Sequence, residues 1–406
     1  MNIHIIDSQC GSGKTEYAIR YMSSRHEETN FMYITPFLKE VERVKKSVPF
    51  VFCEPKEGSK FKNLIHLVSC SAHISSTHAL FAMGNDELAN LINLNNYELI
   101  LDEVLSVLEP IGFKKGDMEM LINEGVISVG DDNVVSLTNR GLDLYEKGSE
   151  FNNRFDIIKT GRVLMVNGGM MLWRFPFDML KCFKKVTILT YMFQNQTMYN
   201  YLLTNGAKFS FSHLVGYKLC NGKCDYSGEE YSKLIKIYDG KLNDIGEKSN
   251  TLSSTWFSRQ ENKRAIYVVA KNAYNYFRRV AMANSDITLW TTVNSVFTTG
   301  LMNINGHKSS FLVMTSRATN DYSHKRVLAY LVNRYENPAI HSYFIKHGIS
   351  VDNDIFALSE LIQWIFRSAI RKNEPIRIYI PSARMRRLLQ NWLNGTFEKN
   401  KTRRIK

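Results

Sequence analysis

Short apolar runs alternate along this chain with segments whose apolar positions recur every three or four residues. The runs read as buried strands and the recurring segments as amphipathic helices, an alternation that predicts an α/β fold. Residues 2–7, 31–34, 97–101 and 186–189 are the strand-like runs of the first half. Tyr17, Ala18, Tyr21 and Met22 share one helical face, as do Val41 and Val44. In the second half, residues 265–269, 287–290, 311–314 and 376–380 are the strand candidates. Residues 112–165 break the rhythm. There, 117–124 looks helical, 126–129 and 134–137 flank a Gly130-Asp131-Asp132-Asn133 turn as a hairpin, and 139–145 looks helical again. This pattern suggests a small winged-helix-like or wedge insertion in the first domain, and gripping a duplex and passive elaboration both stay open. A polar, lysine-rich stretch after Asn205-Gly206 puts the linker near 203–215 and divides the chain into residues 1–205 and 206–406.

The chain has 406 residues, with 52 Lys and Arg against 39 Asp and Glu, a net charge of +13. Such a surplus favours a polyanionic partner, nucleic acid before membrane. No apolar run approaches the roughly 18–20 residues of a membrane span, and a cytoplasmic location is expected. The six cysteines include one close pair, Cys220 and Cys224, with no second pair to complete a zinc site.

Chemistry concentrates after the first strand, in Ser8-Gln9-Cys10-Gly11-Ser12-Gly13-Lys14-Thr15. Strand, glycine-rich turn, Lys-Thr and helix form the setting of a phosphate-binding P-loop. Gly11, Ser12 and Gly13 let backbone N–H groups face phosphate oxygens, Lys14 reaches the β- and γ-phosphates, and Thr15 offers its hydroxyl to magnesium. Ser8 stands where G-x-x-x-x-G-K-T has its first glycine. The strand 97–101 ends in Asp102 and Glu103. A carboxylate at such a tip holds magnesium, and its neighbour orients and deprotonates an attacking water. In α/β sheets functional loops leave the carboxyl ends of strands. Thr35 and Pro36, Thr77 and His78, Thr190, and Arg317, Thr319 and Asn320 occupy such ends. They contact a nucleic-acid backbone, or they turn the chain and cap helices. Gln363, Arg367 and Arg371 are spaced four apart, which predicts one basic face of a helix.

These strings resemble the superfamily 2 helicases, the DExx-box motors of DNA and RNA. The loop 317–320 (Arg-Ala-Thr-Asn), the Gln363…Arg367-Ser368-Ala369-Ile370-Arg371 segment and the strand running into Arg384-Met385-Arg386 are similar to DNA helicases carried by bacteriophages. The resemblance implies two tandem RecA-like P-loop domains with ATP and Mg2+ between them. Gly11 to Thr15, Asp102 and Glu103 would come from one side, and Gln363, Arg367 and Arg371 from the other, with Arg367, Arg371 or both as arginine fingers. Thr35, Pro36, Thr77, His78, Thr190, Arg317, Thr319 and Asn320 would line the nucleic-acid groove. Phe366 replaces the glycine of the sixth motif, only Thr190 matches the third, and adenine recognition is unassigned because seven residues precede Ser8.

The expected activity is that of a monomeric ATPase that moves along and unwinds single-stranded or forked DNA in phage replication or recombination, with RNA an open alternative. One rival is a packaging or remodelling translocase that does not separate strands. Its nuclease cluster would have to come from Asp352, Asp354 and Glu360, which lie close together in sequence. The other is a DNA-binding adaptor with a vestigial ATP site, against which the intact Lys14, Thr15, Asp102, Glu103 and Arg367 count.

Overall fold

A computed structural model describes residues 2–56, 58–114, 116–167, 169–315 and 321–397. Strand β1 (Ile3–Asp7) runs through the glycine-rich turn into the Lys14–Arg25 helix, and β2 (Asn30–Thr35), β3 (Ile74–Thr77) and β4 (Tyr97–Asp102) follow with helices between them. β2 and β4 are buried along nearly their whole length. That explains their largely apolar sequences, since parallel strands covered on both faces have no solvent side, and Glu98 within β4 is buried with a hydrogen bond from the Tyr21 hydroxyl.

After β4 the chain leaves this sheet. It forms β5 (Leu108–Ile111), the hairpin β6 (Ile127–Val129) and β7 (Val135–Leu137), then β8 (Val163–Val166) and β9 (Met170–Arg174). Helices Asp117–Asn123 and Asn139–Glu146 flank the hairpin as the sequence predicts. The antiparallel sheet β5-β9-β8 is new. It closes a separate small core around Leu121, Phe155 and Val163, so the insertion is a packed unit rather than a long loop.

β10 (Lys185–Thr190) then returns between β1 and β4, and β11 (Phe209–Val215) and β12 (Lys218–Asn221) extend the sheet past β1. The order is β12-β11-β1-β10-β4-β2-β3, with only β12 antiparallel to its neighbour. The expected linker over 203–215 is therefore a helix end and a strand, and the first sheet reaches Asn221. The strand was legible: Phe209, Ser210, Phe211 and Ser212 alternate with the period of two of a pleated strand.

The second sheet holds β13 (Ile235–Ile237), β14 (Thr288–Thr291), β15 (Val327–Tyr330) and β16 (Ile376–Tyr379), parallel in the order β13-β16-β15-β14. Three sequence expectations change here. Residues 265–269 lie in the Lys263–Asn275 helix rather than a strand. The helix buries Ile266, Val269, Ala270 and Ala273, a helical spacing hidden by a β-branched run, while Tyr267 and Val268 stay exposed. Residues 311–314 make one bridge, Phe311 to Trp290, not a strand. The Asn353–Ile365 helix stops at the C-cap Phe366, so Arg367 and Arg371 follow in a turn and a short 3-10 segment.

The two sheets meet through buried aromatics. Tyr191 and Met192, just past β10, join the core of the second unit, where Tyr231 stacks on Trp392 at 5.8 Å and meets Phe366 edge-on at 5.1 Å. Close backbone packing also fixes the second unit. A Cβ on Gly246 would stand 2.0 Å from the Pro381 carbonyl oxygen. Gly246→Ala should therefore cost about 1–3 kcal/mol, the usual penalty of overpacking, seen as an earlier unfolding transition in denaturant.

Candidate functional site

The carboxyl end of β1 is held before any ligand is considered. The Asp7 carboxylate is fully buried and accepts from the amides of Met192 and Phe193, each at 2.9 Å, and from the Tyr226 hydroxyl. Burial pushes this carboxyl up, against those hydrogen bonds. Ser8 continues the anchoring. Its amide donates to the Thr190 carbonyl at 2.9 Å, and its hydroxyl accepts from the Leu214 amide at 2.7 Å. The serine in place of glycine thus has a structural use: it ties the loop to β11.

Beyond Ser8 the loop turns back through Gly11 and Gly13, with φ of 91° and 84°. That left-handed backbone suits glycine, and at Gly11 a Cβ would lie 3.5 Å from Arg371 Cγ. Gly13 is the N-cap of the Lys14–Arg25 helix. The Lys14 ammonium donates to the carbonyl oxygens of Ser8 at 2.6 Å and Gln9 at 2.8 Å. The Thr15 hydroxyl points at Asp102, 3.4 Å away.

Asp102 and Glu103 arrive from the tip of β4. Burial pushes the Asp102 carboxyl up to about 6; a 2.6 Å hydrogen bond from the buried Tyr33 hydroxyl opposes the shift and the neighbouring Glu103 adds to it. Glu103 has φ of 69°, a conformation uncommon outside glycine, and its amide is pinned to the Leu189 carbonyl at 2.9 Å. Such strain concentrates at functional positions.

The second unit closes the far wall. Arg367 is 2 % exposed, and its nearest acid is Glu103, with Nη2 3.7 Å from Oε1. Among the described residues its Nε and Nη2 have no hydrogen-bond partner, nor does the buried Ser12 hydroxyl. Burial and the neighbouring Arg367 lower the Arg371 guanidinium, against the acids nearby. Arg367 and Arg371 line the same cavity of about 200 Å³ as Gly11, Gly13, Lys14, Thr15, Asp102 and Glu103. Cys10, Glu16, Glu40 and Arg43 complete its wall. Cys10 lies within the loop and Glu16 directly after it, whereas no motif marks Glu40, Arg43 or Tyr33 as site residues, because only the fold brings them there. Glycine turns, a helix start, buried unpaired guanidinium N–H groups and a paired acidic tip form a donor set that fits a phosphorylated ligand with a divalent cation.

Other expected site residues go elsewhere. Gln363 is buried against the Tyr191 carbonyl, 3.4 Å away, and does not line the cavity, because the helix carrying it ends before the arginines. Thr190 is fully buried, and its hydroxyl accepts from Gln196 at 3.0 Å. Thr35 is fully buried too, and Thr77 caps the following helix by accepting from the Leu80 amide. Thr190 and Thr77 thus brace the turns that follow them, while the buried Thr35 hydroxyl has no hydrogen-bond partner among the described residues. Pro36 and His78 do line one, a cleft of about 510 Å³ that also includes Val104, Thr315, Arg334 and Glu336. Burial raises the Glu336 carboxyl to about 7. Arg317, Thr319 and Asn320, and the tail from 398 on, lie outside the described residues. Asp352 caps a helix, Asp354 pairs with Arg384 at 2.8 Å and Glu360 with Arg334 at 3.5 Å, so the acidic trio is divided among structural contacts. Arg386 likewise pairs with Glu247 at 2.6 Å rather than standing free for phosphate.

Residues 229–393 match the family model described as the YonV C-terminal Rossmann-like domain. Over 417 aligned positions the chain is 38 % identical to the SPbeta prophage-derived uncharacterized protein YonV of Bacillus subtilis (strain 168), covering 97 % of this chain and 99 % of that one. The chain belongs to the YonV family. In fold it is similar to a solved structure titled XPD_Helicase, with a TM-score of 0.51 and 11 % identity over 98 % of this chain and 95 % of that one. It is also similar to Xpd4 of S. tokodaii, with a TM-score of 0.50 and 12 % identity over 96 % and 93 %. The fold is thus the two-unit RecA-like helicase architecture, α/β with parallel sheets.

The raised Asp102 carboxyl carries a stability consequence. Its folded value, about 6, exceeds the ordinary 3.8, so the folded chain binds the extra proton and stability falls as pH rises through 4 to 6. Asp102→Asn should flatten that fall and stabilise the protein at pH 7.5 by at most about 3 kcal/mol, measured as unfolding midpoints from pH 4 to 8.

Proposed function

We propose that this protein is an ATP-hydrolysing nucleic-acid motor, a superfamily 2 helicase acting on DNA. The observation that carries the reading is Arg367, a permanently charged group buried across a cavity from Lys14 and Asp102, whose Nε and Nη2 have no hydrogen-bond partner among the described residues. A γ-phosphate is a ligand such a group can satisfy. In this reading residues 8–15 are the P-loop and Asp102-Glu103 the DExx pair.

The Gly11–Gly13 amides and Lys14 bind the β- and γ-phosphates, Lys14 exchanging the carbonyls of Ser8 and Gln9 for phosphate oxygens. Thr15 and Asp102 hold Mg2+, which offsets phosphate charge. Glu103 orients the attacking water and takes its proton. Arg367 and Arg371 neutralise charge that develops on the terminal phosphate. Gln363 acts as a positioning residue through the Tyr191 carbonyl. The 510 Å³ cleft beside Pro36, His78 and Arg334 is the track for a strand held mainly by its backbone. The prophage origin of the YonV relative supports a place in phage DNA metabolism.

Turnover of ATP with and without single-stranded DNA, and with RNA, tests the reading, with Lys14→Ala as the blank. DNA should stimulate hydrolysis more than RNA does; no stimulation by any nucleic acid would overturn the motor. Glu103→Gln should abolish turnover while ATP still binds, and unchanged turnover would remove Glu103 as the base. Arg367→Ala should lower kcat by about 10³-fold, the scale of a lost arginine finger.

A further inference from the structure

Beside the loop stands an exposed aromatic, Tyr217. β11 and β12 form a tight hairpin in which Val215 pairs with Lys218, so Gly216 and Tyr217 make the two-residue turn. Gly216 has φ of 59°, as such turns require. Tyr217 is 72 % exposed and Val215 60 %, an apolar pair at the tip of a polar turn. The Leu214 amide bonded to Ser8 fixes the hairpin against the loop.

The strand order sets its direction. β10 and β4, with Asp102 and Glu103, lie on one side of β1, and β11 and β12 lie on the other. A triphosphate whose terminal phosphate sits at Asp102-Glu103 runs back across Gly13, so its sugar and base leave on the hairpin side. Tyr217 waits there: a Cβ on Gly13 would lie 3.9 Å from Tyr217 Cε1. The Arg20 guanidinium covers the ring at 4.7 Å from its centroid while Arg20 Nε pairs with Glu16 at 3.2 Å, and this fixes the ring's orientation.

We propose that Tyr217, braced by Arg20, is the base platform of the nucleotide site, stacking the purine of a nucleoside triphosphate whose phosphates the loop holds. This inference rests on the nucleotide reading above, and it supplies the base contact that the sequence leaves unassigned. A stacked ring reads the face of a base rather than its edge, so it adds affinity without a hydrogen-bond code.

The test is calorimetry on the full chain with Mg2+, using ATP and, separately, inorganic tripolyphosphate, which has no base. Tyr217→Ala should weaken ATP binding roughly 10-fold, the scale of one lost base stack, and leave tripolyphosphate unchanged. Tyr217→Phe keeps the ring and should bind ATP as the wild type does. Equal ATP affinity in wild type and Tyr217→Ala, or equal weakening of both ligands, overturns the platform and leaves the nucleotide site standing. A wild-type chain that binds neither ligand, or ATP binding unaffected by Lys14→Ala, overturns the nucleotide reading and the platform with it.

Discussion

A buried guanidinium opposite a strained glutamate joins the two halves of this molecule. Taking Arg367 out of water costs several kcal/mol, and one carboxylate 3.7 Å away returns only part of that. The deficit is tolerated because the aromatic contact around Tyr191, Tyr231 and Phe366 buries apolar surface nearby. Asp102 in the same cavity is also out of water, which raises its carboxyl. Charge of both signs is thus held in one small cavity, with the Arg367 Nε and Nη2 left without hydrogen-bond partners among the described residues, an arrangement poised for an anionic ligand rather than for stability alone.

The loop after β1 is built in two layers. Backbone and buried side chains make the outer one: Asp7 on the turn after β10, and Ser8 on Thr190 and Leu214. The inner layer faces the cavity and is made of groups in reversible hydrogen bonds, such as Lys14 on two carbonyls. Rigid support beneath exchangeable contacts lets the inner groups change partner without refolding the loop.

Much of this was legible in the sequence for physical reasons. Glycines at 11 and 13 and carboxylates at 102 and 103 are short-range signals, because their function depends on neighbours in the chain. Arg367 and Arg371 line the cavity with the loop, although a helix ending at Ile365 replaces the continuous face expected of them. What failed was long-range or ambiguous in period. Ile266 and Val269 carry a helical spacing inside a β-branched run, and Thr35 and Thr190 sit at strand ends but turn inward. Glu40 and Arg43 line the cavity, and Tyr33 bonds to Asp102 behind it, only because β2 lies next to β4. No local pattern records that adjacency.

The chain crosses between its sheets from Asn221 to Ile235, and that crossing is fastened to the loop it passes. Tyr226 bonds to Asp7, and Tyr231 bonds to Gln9 at 3.1 Å. The covalent crossing and the base of the loop are therefore one place. A crossing fastened this way couples two things that are separate in the sequence: whatever holds the loop in place also holds the joint between the sheets.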